Sequence, residues 1–154
     1  MRAINHALTG ALIGTLINEP EIAYPAAFLS HYICDAIPHY GSDLPEKKLL
    51  RSSAFKIQLY IDIALCLILV IVLSASKPHH WFNAIICAFL AALPDFFSMP
   101  RYLRAQKVGK TKKPNIYVRF ASKIQWFEHP IGAVVEVAWF IALIVILSPY
   151  IINR

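Results

Sequence analysis

Residues 57–74 read IQLYIDIALCLILVIVLS, eighteen positions with a single charge, Asp62. The run shows no period-2 alternation, and at 1.5 Å per residue a helix of that length comes close to crossing a hydrocarbon core of about 30 Å. Four more apolar stretches flank it: 3–18, 22–38, 81–97 and 131–152. Composition agrees, with 58% of the 154 residues hydrophobic and 16% charged, where a soluble domain carries about 25% charged residues. The expected fold is therefore all-α: one membrane-embedded domain over residues 1–154, with about five transmembrane helices. A soluble globular enzyme is excluded. The first stretch could pass for a signal peptide, but no convincing small-residue cleavage site follows it. It also carries Gly10 and Gly14, whose spacing lets two helices approach closely. Cys34, Cys66 and Cys87 lie in apolar runs without C-x-x-C spacing and read as packing residues.

Residues 98–128 differ in character. They hold Arg101, Arg104, Lys107, Lys110, Lys112, Lys113, Arg119 and Lys123, with no acid before Glu128. Ile116, Phe120, Ile124 and Phe127 recur there at helical spacing, the pattern of an interfacial amphipathic helix on an anionic membrane surface. Membrane lipids are thus the expected partners, and nucleic acid is not. Placing this loop in the cytoplasm places the N-terminus and residues 39–56 there too, and the C-terminus outside. Of the 15 Lys and Arg, 13 then lie inside, as the positive-inside rule requires. The expected location is a prokaryotic-type inner membrane.

On that topology the ionisable residues converge. His6 opens the first stretch, Asp35 and His39 close the second, Asp62 lies in the third, Asp95 closes the fourth, and His129 precedes the fifth. All five stretches deliver a His or Asp to one side. His31, Asp35 and His39 follow each other at i, i+4, i+8, one helix face, although Pro38 disfavours helical backbone at the residue before it and complicates His39. Intramembrane carboxylates need partners, and Lys and Arg are confined to loops, so histidine and a shared cation are the candidates. Neutral His with carboxylate is metal-site composition. Glu136, seven residues after His129, reads as a supporting residue rather than a ligand. A short echo, Ala36-Ile-Pro-His-Tyr40 against Ala92-Leu-Pro-Asp-Phe96, places a proline immediately before His39 and before Asp95.

His6-Ala-Leu-Thr-Gly10-Ala, then Ser30-His31-Tyr-Ile-Cys-Asp35-Ala-Ile-Pro-His39, then Leu93-Pro94-Asp95 resemble the small inner-membrane metal-dependent hydrolases, a family labelled by analogy with zinc-dependent phospholipase C. The shared elements cover about a third of the chain. His31 and Asp35 match best, while His6 and Asp95 match in context. Asp95 is followed by Phe-Phe rather than by a further acid and His, and no His-x-x-x-Glu is present, which weakens the case for a second ion in that family's manner.

These readings converge on a membrane-embedded metal-dependent hydrolase. The expected ligands are His6, His31, Asp35, His39, Asp95 and His129, and the general base is Asp62 or Asp95. Zinc suits the donors best, with manganese or iron(II) also compatible. Lys47, Lys48 and Arg51 are expected to hold an anionic phosphate head group, which makes a phosphoester lipid the substrate class. Two alternatives stand beside this reading: a metal or proton transport component, and a non-catalytic structural membrane protein.

Overall fold

The structure is a computed structural model that describes residues 1–41, 46–97, 116–124 and 128–152, with backbone alone at 46, 47, 117, 118, 121 and 122. Its helices are α1 (Ala3–Leu16), α2 (Pro20–Ala36), α3 (Glu46–Leu49), α4 (Ser53–Ser76), α5 (Trp81–Phe96), α6 (Ile116–Ile124) and α7 (Gly132–Ile152). All regular structure among the described residues is helical, as expected. The one extended pairing there is a parallel bridge between His39 and Glu128.

Local chemistry sets the helix ends. Pro20 opens α2, at a position where the missing N–H would have no partner anyway. The Phe55 N–H donates to Ser52 Oγ at 3.1 Å at the start of α4, an N-cap. At the other end Lys77 turns left-handed, φ 45°, and its N–H reaches the Leu73 carbonyl at 3.0 Å. The last carbonyls of α1 accept from a neighbour: Asn83 Nδ2 of α5 donates to Gly14 O at 3.0 Å and to Ile17 O at 2.9 Å. A helix end leaves such groups without intrahelical partners.

α1 is the axis of the bundle, packed by α2, α4, α5 and α7. Its closest neighbour is α5, because Gly10 and Gly14 let the two backbones touch. A Cβ at Gly10 would run into the Cys87 carbonyl oxygen and stand 2.7 Å from Ala91 Cβ; one at Gly14 would lie 2.6 Å from Asn83 O. The spacing seen in the sequence thus marks a real helix contact. Around it Leu8, Ala11, Leu69, Leu73, Ala84, Ala88, Leu143 and Leu147 form the buried apolar core. Cys34 and Cys87 are buried, and all three cysteines are free thiols.

The five long helices alternate in direction. The start of α1 meets the first half of α4 through Arg2 and Asp62 and the start of α7 through Asn5 and Glu136, whereas its end meets the start of α5. The ends of α2 and α5 therefore share one pole of the bundle with the starts of α1, α4 and α7.

Length corrects the expectation of five spans. Among the described residues only α4 and α7, of 24 and 21 residues, are long and apolar enough to cross a membrane. α1, α2 and α5, at 14, 17 and 16 residues, reach only about 21–26 Å at 1.5 Å per residue. The cause is local. Asn18-Glu19-Pro20 follows the end of α1 immediately, and Pro38 holds Ile37 in extended backbone, φ −77° and ψ 147°, so α2 stops at Ala36. The proline echo is accordingly only half structural, since Pro94 lies inside α5 and does not end it.

Candidate metal centre

The pole where these helix ends meet is polar. α1 contributes His6, α2 contributes His31 and Asp35 one turn apart, and α5 contributes Asp95 from its last turn. One donor atom from each of His6, His31 and Asp95 lies within 4.8 Å of the others. Asp35 stands beside this triad, with Oδ1 3.1 Å from His6 Nε2 and Oδ2 3.4 Å from His31 Nε2. The two imidazoles are stacked, ring centroids 4.0 Å apart.

His31 is the most informative member. Its Nδ1 lies 2.8 Å from the carbonyl oxygen of Ala91. A carbonyl can only accept, so Nδ1 carries the proton, and in the neutral ring Nε2 is left as a lone pair. That lone pair faces Asp35 Oδ2 at 3.4 Å and Asp95 Oδ1 at 3.9 Å. A proton on Nε2 or a metal ion between these groups reconciles them. A histidine fixed by a carbonyl behind it, with its other nitrogen presented to carboxylates, is the arrangement of a metal-ligating imidazole.

His6 points the same way. It is fully buried, and neither ring nitrogen has a hydrogen-bond partner among the described residues, the approach to Asp35 falling outside hydrogen-bond geometry. Buried polar atoms in native proteins are nearly always satisfied, and a metal ion would satisfy this one. The donor set of two imidazoles and a carboxylate suits zinc, manganese or iron(II). Asp95 alone opens outward, its side chain 40% exposed where those of His31 and Asp35 are 4% exposed. Water and a substrate would therefore arrive along the Asp95 edge.

The remaining expected residues fall elsewhere. His39 is buried, but its Nδ1 is 2.8 Å from Ile37 O and its Nε2 faces Glu128, away from the triad. His129 is exposed, and its Nδ1 accepts the Ile131 N–H at 3.3 Å. Pro38 explains the first, because the break after Ala36 takes His39 off the α2 face that carries His31 and Asp35. Asp62 is held by Arg2, whose Nε lies 3.2 Å from Oδ1 and 3.3 Å from Oδ2. The expectation that only histidines could reach the helix carboxylates is thereby corrected: Arg2 folds back from the start of α1.

Glu136 is buried and supports α1 rather than the triad. Its Oε1 accepts the Arg2 N–H at 3.0 Å, and its carbonyl accepts from Asn5 Nδ2 at 3.1 Å. The Met1 amine contacts Asp35 Oδ1. Lys48 and Arg51 are exposed on the segment leading into α4, at the same pole. The Lys47 side chain and the basic residues of 98–115 lie outside the described residues. Two partners escaped the sequence reading: the Ala91 carbonyl, a backbone group with no residue-type signal, and Arg2, whose position next to the chain start marked it as a loop charge.

Comparison with family models, curated proteins and solved structures found no match to this chain.

Proposed function

We propose that the chain is a membrane-embedded, metal-dependent hydrolase whose ion is held by His6, His31 and Asp95, with the Asp35 carboxylate beside both imidazoles. The observation that carries this reading is the Nε2 of His31, turned toward two carboxylates while the Ala91 carbonyl holds Nδ1. A divalent ion bound there supplies Lewis acidity and makes water an effective nucleophile near neutral pH. The chain's own contribution is placement. The Ala91 carbonyl fixes Nδ1 of His31, Asp35 lies against both rings, and Asp95, the exposed carboxylate, would be the group placed to accept a proton from water. Asp62 is not available for that step because Arg2 engages it. The His31-x-x-x-Asp35 and Pro94-Asp95 motifs resemble those of the inner-membrane hydrolases named above.

Membrane embedding rests on where apolar surface is left. Leu69 and Leu73 are the only buried residues of α4, while Ile57, Ile61, Leu67, Ile68 and Ile71 are among its exposed ones. Apolar surface of that extent on helices of spanning length calls for hydrocarbon. The shorter α1, α2 and α5 pack within this frame, and the basic residues at the polar pole favour the cytoplasmic side for it. α6, with exposed Ile116 and Phe120 beside Arg119 and Lys123, lies on the anionic surface near the site, as the ring contact of Phe120 with Tyr32, 5.8 Å between centroids, supports. Lys48 and Arg51 then face anionic head groups, so a phosphoester amphiphile is the substrate class. Zinc is the ion of choice. A transport role is less well supported, because beyond the polar pole the centre of the bundle is filled by Leu8, Ala11, Leu73, Ala88 and Leu147, with no file of ionisable groups along it.

The test is metal content and turnover of detergent-purified protein. Wild type is expected to hold one tightly bound ion per chain and to release water-soluble phosphate from phospholipid vesicles, and His31→Ala and Asp95→Asn are expected to lose both. Full metal occupancy in folded His31→Ala protein would sink the site, and an intact metal centre without turnover of any phosphoester would sink the reaction.

A further inference from the structure

The pairing of His39 with Glu128 has features that the triad does not account for. His39 lies beyond the end of α2 and is 2% exposed. Its Nδ1 is 2.8 Å from the carbonyl of Ile37, so Nδ1 carries the proton and Nε2 is a lone pair in the neutral ring. That nitrogen is buried and has no hydrogen-bond partner among the described residues. The atom it faces is another acceptor, Glu128 Oε1, at 3.6 Å.

Distance separates the two ways of resolving that conflict. A proton between imidazole and carboxylate draws them to about 2.7–2.9 Å. A metal ion with bonds of about 2.0–2.2 Å to each, at an angle of roughly 110–120°, sets them about 3.3–3.6 Å apart. The observed 3.6 Å lies outside the first range and matches the second.

The backbone builds this juxtaposition. His39 and Glu128 form the parallel bridge, the His129 N–H donates to His39 O at 3.1 Å, and the Gly41 N–H donates to His129 O at 3.4 Å. Both flanks depend on glycine. A side chain at Gly132 would collide with the His39 backbone, and one at Gly41 with Glu128 Cβ. Two of the chain's five glycines thus bring these two segments together. Glu128 is half exposed, so an ion can enter from solvent and keep water on its remaining positions.

We infer that His39 and Glu128 form a second divalent-cation site, separate from the His6, His31 and Asp95 triad, that ties the end of α2 to the start of α7. With two protein ligands and water it binds more weakly than the triad, and one imidazole with one carboxylate accepts Zn²⁺ or Mn²⁺. Adjacent residues of an extended pair point to opposite sides, which keeps His129 out of the site.

The experiment titrates Zn²⁺, and separately Mn²⁺, into the full chain stripped with EDTA in detergent, comparing wild type with Glu128→Gln, His39→Gln and His31→Ala. Glu128→Gln changes an exposed side chain and preserves the bridge, so it stays informative if the buried His39 variant does not fold. Two classes of site are expected in the wild type. His31→Ala removes the tighter class, and Glu128→Gln weakens the other tenfold or more. A wild type with a single class that only Glu128→Gln removes would uphold this site and overturn the triad. Zn²⁺ and Mn²⁺ isotherms that Glu128→Gln leaves unchanged would overturn it whatever the triad does.

Discussion

The imidazole of His6 lies stacked on that of His31, with ring centroids 4.0 Å apart and planes 25° from parallel. Two protonated imidazoles so placed would repel by about 4 kcal/mol at an effective dielectric constant near 20. The pair accommodates one positive charge rather than two, and the proposed metal ion would be such a centre.

Such a centre ties ion binding to folding. Zn²⁺ at a hundred times its dissociation constant should add about 2.7 kcal/mol to stability. Thermal unfolding of purified protein in detergent, followed by circular dichroism, is expected to move down on stripping with EDTA and back up on adding Zn²⁺. In His6→Ala/Glu128→Gln protein, which lacks a ligand from each centre, the increment should vanish. An increment of unchanged size in that variant would place the stabilising ion elsewhere.

The Arg2 and Asp62 pair makes a prediction about structure, not chemistry. Removing the guanidinium leaves a mostly buried carboxylate without its charge partner, which for a fully buried pair costs about 3–5 kcal/mol. The Arg2 side chain is 34% exposed, so solvent screening reduces this to roughly 1–3 kcal/mol for Arg2→Met. Asp62→Asn in the same background should recover part of the loss, a coupling that a double-mutant cycle measures. Phosphoester turnover per folded molecule should survive Asp62→Asn within a few-fold; a drop of a thousandfold would return Asp62 to the role of general base.

How much of this was legible beforehand differs between fold and site. Helicity, the close contact at Gly10 and Gly14, and the gathering of His6, His31 and Asp95 at one pole all follow from apolar runs, small-residue spacing and the distribution of Lys and Arg. Those signals are local or additive along the chain. What escaped them depends on where the backbone stops. Three of the five stretches stay below spanning length; Asn18-Glu19-Pro20 separates the first two and Pro38 ends the second, and that break at Pro38 also takes His39 to Glu128. His129 was counted with the cluster by its place in the chain, but it turns to solvent. Arg2 was read as a loop charge, since nothing in its neighbours shows that its side chain bends back to α4.

Gly10 links packing to the centre. Gly10→Ala drives a methyl group toward the Cys87 carbonyl and Ala91, and Ala91 supplies the carbonyl that holds His31. Overpacking of this kind typically costs about 1–3 kcal/mol. Displacing α5 should also weaken Zn²⁺ binding by roughly tenfold or more, the lower end of what losing such a support does. Gly14→Ala, nearer the opposite pole, should destabilise the fold while leaving the affinity of folded protein nearly unchanged. Equal effects of the two substitutions on affinity would contradict this.

Lys48 and Arg51 are exposed and should act on capture of the substrate rather than on its cleavage. Lys48→Gln/Arg51→Gln is expected to raise KM for anionic phospholipid vesicles several-fold and to flatten its dependence on salt, with kcat nearly unchanged. A fall in kcat at constant KM would place these residues at the reacting atoms instead.

The exposed face of α4 decides whether hydrocarbon surrounds the bundle. Leu67 is 58% exposed midway along the helix, and Ile57, equally exposed, sits one turn from its start. In a bilayer, Arg at the centre of a spanning helix is disfavoured by about 2.5–3.5 kcal/mol, whereas near the end its long side chain reaches the interface at little cost. In water, both substitutions would replace an exposed apolar side chain by a charged one and would leave stability unchanged while improving solubility. Leu67→Arg is therefore expected to reduce the share of protein that stays in membranes through alkaline carbonate extraction, with Ile57→Arg close to wild type. If both variants leave the membrane fraction together with the wild type and gain solubility, α4 is not a spanning helix, and its apolar face belongs to another protein surface.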